Sequence, residues 1–93
     1  MRKKIKELLV QITSLLLENN QNDWAEKFHC FSQKLDTDYD NTLMEIKLTF
    51  GGAGSFNDVV LHKDGKILIS ENRELSNLQD QLYDALKKEM IAR

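Results

Sequence analysis

The apolar positions of this chain fall into distinct periods, and each change of period marks an element boundary. Ile5, Leu8, Leu9, Ile12, Leu15 and Leu16 recur at intervals of three and four, which predicts one buried stripe on an amphipathic helix over residues 2–19. Asn19-Asn20-Gln21-Asn22 is polar and turn-prone and ends that stripe. Trp24, Phe28, Phe31 and Leu35 then repeat on a second helical face, with Asn22 or Asp23 as the expected N-cap. A loop this short predicts that the two helices pack as an antiparallel hairpin.

The next stretch supports two readings. Residues 36–41, Asp-Thr-Asp-Tyr-Asp-Asn, form an acidic connector. Beyond it Met44, Ile46, Leu48 and Phe50 alternate with Glu45, Lys47 and Thr49, the pattern of a half-buried strand. The same residues also fit a helix, with Leu43, Ile46, Lys47 and Phe50 on one face. Asn41 or Thr42 would then be its N-cap, and Gly51 stands where a C-cap glycine belongs.

Three of the four glycines, Gly51, Gly52 and Gly54, follow within four positions and predict a fixed turn. In that turn Phe56 is expected to plug the core, while Ser55, Asn57 or Asp58 bonds the turn amides. Asp58-Val59-Val60-Leu61 and Ile67-Leu68-Ile69 flank Lys63-Asp64-Gly65-Lys66, and an Asp-Gly pair between two such runs predicts a β-hairpin. A lone hairpin is marginal in water, so it should lie against the helices. Leu75, Leu78, Leu82, Leu86 and Met90, with Tyr83 beside them, predict a last helix from Asn72 or Ser76 to Met90. Ser76-Asn77-Leu78-Gln79 has the form of a capping box. The expected class is α+β, mostly helical: an N-terminal helical hairpin, a short third helix or strand, a β-hairpin and a C-terminal helix, in one domain over residues 1–93.

Composition narrows the function classes. The chain has 93 residues, 41% hydrophobic and 30% charged, as globular domains do. A formal charge of −2 argues against nucleic acid as a partner, because phosphate-binding domains carry a basic excess. The single Cys30 forms no internal disulfide. Arg2, Lys3, Lys4 and Lys6 precede Leu8-Leu9-Val10, yet Glu7 and Gln11 interrupt the apolar run and no small-residue cleavage site follows Leu17. No run approaches the roughly 20 apolar residues of a membrane span. The expectation is a cytoplasmic protein without a membrane partner.

Templates for chemistry fail one by one. The glycine cluster precedes a strand run and lacks the Gly-Lys-Ser/Thr of a phosphate loop. Asp36, Asp38 and Asp40 sit at the first, third and fifth positions of a calcium loop, but Asn41 replaces the required glycine and Lys47 the closing glutamate. His29 and Cys30 are neighbours that diverge by about 100° on a helix, and His62 lies beyond the glycines with no ligand spacing. The expectation is therefore no enzyme, no metal and no cofactor. What remains is surface: from Asp36 to Glu45 the chain carries four acidic groups and no basic one, either a solvated loop or a patch for a cationic partner.

Gly51-Gly52-Ala53-Gly54-Ser55-Phe56-Asn57-Asp58-Val59 resembles a signature of a small bacterial family, Gly-Gly-x-Gly-Ser-Phe-Asn-Asp-aliphatic, associated with immunity proteins of contact-dependent growth inhibition. The likeness is concentrated in residues 51–61, with weaker similarity at Asp23-Trp24-Ala25 and in the final helix. It departs at Ala53, where methionine is expected, and at Val59, where leucine is usual. The resemblance favours a helix over residues 42–50. It also implies an inhibitor that occludes the active site of a cognate toxin domain, such as a nuclease. Asp36, Asp38, Tyr39, Asp40 and Glu45 are the candidate toxin-binding residues, and the glycine motif is a structural turn. The alternative is an adaptor that binds some other protein.

Overall fold

A computed structural model describes residues 2–51 and 55–92. Helix α1 spans Arg2–Glu18, α2 Asn22–Lys34, α3 Tyr39–Leu48 and α4 Ile69–Ala92. A 3-10 turn at Phe56–Asp58 and a two-stranded antiparallel hairpin, β1 (His62–Lys63) and β2 (Lys66–Ile67), lie between α3 and α4. The protein is mostly helical with a small hairpin, compatible with the α+β class.

The first stripe behaves as its spacing requires. Ile5, Leu8, Leu9, Ile12, Leu15 and Leu16 are all buried, and α1 packs along both α2 and α4. Asn20 takes a left-handed φ of 62° that ends α1, and the Asn19 side chain donates to the Leu15 carbonyl at 2.8 Å. Neither Asn22 nor Asp23 caps α2: Gln21 holds that position without a side-chain bond, and Asp23 lies in the first turn, where a carboxylate favours the helix dipole.

Residues 42–50 are helical rather than extended up to Leu48, and α3 begins earlier than the sequence suggested. Its N-cap is Asp38, not Asn41 or Thr42. Thr42, Leu43 and Ile46 are buried with Tyr39, so a helical period explains the core positions that strand alternation would have split.

Phe56 is fully buried at the centre of an aromatic cluster. Its ring lies 4.4 Å from Phe28, 5.4 Å from Trp24 and 5.6 Å from Phe50, centroid to centroid. The Phe56 amide donates to the Thr49 carbonyl at 2.7 Å, which ties the turn to the end of α3.

The hairpin turn is the one Asp-Gly demands: Asp64 and Gly65 have φ of 54° and 78°. The strands are shorter than predicted, with Val59 and Val60 outside them and Ile69 already in α4. All four strand residues are exposed, so the hairpin does not lie flat on the helices. A single side chain holds its base instead. Asn72 Oδ1 accepts from the Leu61 amide at 2.7 Å, and Asn72 Nδ2 donates to the carbonyls of Leu61 and Leu68 at 2.8 and 2.7 Å. Leu61 is buried beneath this clamp. The capping box at Ser76 is absent because α4 starts at Ile69 and runs through it. Gln79 turns inward and donates to the Phe56 carbonyl at 2.8 Å.

Candidate protein-binding surface

The acidic turn is tied into the fold more tightly than its sequence implied. Asp36 pairs with Lys6 at 2.6 Å, and the same ammonium donates to the Ser32 carbonyl at 2.6 Å. Asp38 stands at the N-cap position of α3 without a side-chain cap bond, and its carboxylate accepts from Asn41 Nδ2 at 3.1 and 3.3 Å. Tyr39 is only 8% exposed: its hydroxyl donates to Glu89 on α4 at 2.8 Å, and the Arg2 guanidinium lies 4.3 Å from its ring centre. It braces α3 against α1 and α4 instead of facing outward. Asp40 is exposed in the first turn of α3. Glu45 pairs with Lys34 at 2.6 Å, and that hydrogen bond is the main cause holding the Lys34 ammonium above its ordinary pKa, with the negative charges of Glu45 and Asp38 adding to it.

The glycine motif is a structural plug where it is described. Gly51 is exposed, its backbone is not left-handed, and an added Cβ would meet nothing closer than the Leu48 carbonyl at 3.9 Å. The C-cap of α3 is Thr49, so Gly51 is not the capping glycine. Gly52 and Gly54 lie outside the described residues. Ser55 and Phe56 are buried, Asn57 Nδ2 donates to the Phe50 carbonyl at 3.0 Å, and Asp58 ends the 3-10 turn.

An apolar surface opens at the other end of α3. Asp40, Met44 and Leu48 follow one another at spacings of four along its outer ridge, with Met44 55% and Leu48 78% exposed. Between this ridge and α4 runs a groove of about 460 Å³, walled by Met44, Leu48, Phe50, Tyr83 and Met90 with Lys47 at its edge. The Phe50 and Tyr83 rings stand 5.3 Å apart at 55°. On their far side a more polar cleft of about 510 Å³ continues past Asn57, Gln79, Asp80 and Asp84. Sequence reasoning passed over this surface. The signal for it was Met44 and Leu48 sitting four apart on the side of α3 opposite Leu43 and Ile46, apolar residues where a helix should be polar.

Cys30, His29 and His62 are all exposed, the first two on α2 and the last on β1. Among the described residues no group of three or more His, Cys, Asp or Glu side chains is arranged to hold a metal ion. None of the described helices is long and apolar enough to cross a membrane.

Fold and surface together define a small, mostly helical protein with an open groove of methionine, leucine and aromatic side chains between its last two helices. The chain belongs to a family described as a domain of unknown function, DUF6966, whose model matches residues 17–69. The match runs from the end of α1 through α2, α3 and the hairpin to the first residue of α4. No curated protein and no solved structure matches the chain.

Proposed function

We propose that this protein is an immunity protein that neutralises a bacterial toxin domain by docking the α3–α4 face over it. The observation that carries the reading is the exposed Met44–Leu48 ridge beside the Phe50–Tyr83 pair. Contiguous apolar surface rimmed by charge is where protein partners bind, and aromatic and methionine side chains are enriched in the cores of such interfaces. Methionine adapts its shape, and tyrosine offers a large contact at low entropic cost. Asp40 is exposed on the same ridge of α3 as Met44 and Leu48 and supplies an acidic group at the rim that a cationic toxin surface would meet. An inhibitor of this kind needs about 800 Å² of complementary surface per partner and no catalytic group of its own.

The test is co-expression with the product of the reading frame immediately upstream, scored as growth. The wild-type chain is expected to protect. Leu48→Asp is expected to weaken the complex at least about tenfold, as for an interface-core residue, while leaving the melting temperature unchanged because the side chain is exposed. Charge reversal at Asp38 and Asp40 together should weaken it less, since rim charges act mainly on association rate. Full protection by Leu48→Asp would remove the groove from the interface. Absence of protection by the wild-type chain against that product would remove the immunity reading itself.

A further inference from the structure

We infer that the polar cleft beside the groove is a pocket for an arginine side chain of the docked partner, an inference that rests on the α3–α4 face being the docking surface. Asn57, Gln79, Asp80 and Asp84 line the cleft with acceptors. Gln79 is only 7% exposed, and its Nε2 is committed to the Phe56 carbonyl at 2.8 Å, which fixes the amide with Oε1 on the other side. No donor among the described residues is hydrogen-bonded to that oxygen. Asn57 is oriented the same way: its Nδ2 is taken by the Phe50 carbonyl at 3.0 Å, leaving Oδ1 as its free acceptor. Asp80 adds a carboxylate with no ion pair among the described residues. Asp84, one turn further along α4, is paired with Lys88 at 3.0 Å.

Phe50 and Tyr83 complete the pocket with ring surface. Tyr83 already attracts a cation, since Lys87 Nζ lies 5.3 Å from its ring centre. Among the described residues Lys87 is the one cationic side chain lining the cleft. A guest must therefore bring donors, accept stacking on aromatic rings and carry positive charge. Guanidinium meets all three demands, because its planar fork donates in several directions at once and stacks on rings. An ammonium donates as a point charge and stacks poorly, and an anion would find as donors only Lys87 and the Tyr83 hydroxyl, facing two carboxylates. The cleft shares Phe50 and Tyr83 with the apolar groove, so a partner covering Met44 and Leu48 would project such a side chain past the ring pair.

The test titrates isotope-labelled protein with N-acetylarginine amide, N-acetyllysine amide and N-acetylcitrulline amide, followed by NMR. Arginine amide is expected to give saturable shifts at the Asn57 and Gln79 side-chain amides and at the Asp80 backbone amide. The lysine probe should bind about threefold more weakly and the neutral citrulline probe about tenfold more weakly. Asp80→Asn should lower arginine affinity about tenfold, while Glu26→Gln, on the exposed face of α2, should leave it unchanged. Lack of saturable shifts at those amides overturns the pocket. So does citrulline binding as tightly as arginine, or an equal loss in both variants. Such a failure leaves the docking face standing provided Leu48→Asp still abolishes protection. Arginine binding retained beside a fully protective Leu48→Asp overturns the assignment to a partner and leaves a site for the free amino acid.

Discussion

The acidic turn leading into α3 and the outer ridge of α3 present opposite surfaces. In the acidic turn and on the side of α3 that faces α2, side chains the sequence offers to a partner have answers inside the protein. Asp36 finds Lys6, which lies 30 residues away, Glu45 finds Lys34, and Tyr39 reaches Glu89 across 50 residues. On the outer ridge Met44 and Leu48, both apolar, face solvent over a groove. The difference teaches that a run of like charge in sequence says little about free charge on the surface. Compensation comes from elements distant in sequence. Exposed apolar side chains have no such remedy except a partner.

The comparison breaks most completely if the ridge and its groove lose their foundation. Phe56→Ala would empty the centre of the aromatic cluster under Phe50 and Trp24, at an expected cost of about 3–5 kcal/mol in chemical denaturation. Loss below about 1 kcal/mol would mean that the cluster collapses to fill the void. Next in size is Tyr39→Phe, which keeps the ring beneath Arg2 but deletes the bond to Glu89. A hydrogen bond to a half-exposed carboxylate should cost about 1–2 kcal/mol when removed. On the buried face of α3 lies Thr42, whose Oγ1 has no hydrogen-bond partner among the described residues. Thr42→Val replaces that hydroxyl with a methyl of similar shape, so stability is expected to rise by up to about 1 kcal/mol. A fall on the same scale would show that the hydroxyl is satisfied in solution.

Much of the scaffold was legible in the sequence because periodicity reports burial directly. All six apolar positions of the α1 stripe, and Leu75, Leu78, Leu82 and Leu86 of α4, are buried as their spacing requires. The Asp-Gly turn was legible because its two positive φ values restrict the residues that can sit there. Helix starts were not. Asp38, Gln21 and Leu68 precede the actual helices, and none makes the side-chain cap by which a start is recognised in sequence. Nor was Asn72, whose three bonds to Leu61 and Leu68 exist only once the hairpin has folded back onto α4. The candidate surface was harder still. Residues 36–45 were readable as acidic, but their ion pairs are long-range contacts, and the groove joins Leu48 to Tyr83 across two intervening elements.

The finest distinction lies in the Lys34–Glu45 pair, which ties the second half of α3 to the end of α2. The Lys34 ammonium is stabilised in the folded protein chiefly by the hydrogen bond from its Nζ to Glu45, so its pKa is raised on folding. A raised lysine contributes stability that is fully present below its unfolded pKa and is lost as pH rises through the folded value. The window is therefore strongly alkaline, above about 10.4, and the contribution is constant through neutrality. The pair is solvent-exposed, so salt should screen it and its size should be the smallest of these effects. Urea melts of the wild type and Lys34→Gln, compared from about pH 7 to pH 11, isolate this from other lysines and tyrosines that titrate in the same range. The gap between the two proteins is expected to be small at neutral pH and to close at the alkaline end. A gap that widens with pH would mean that Lys34 is better accommodated neutral than charged, and that the acidic turn is less firmly answered than its geometry indicates.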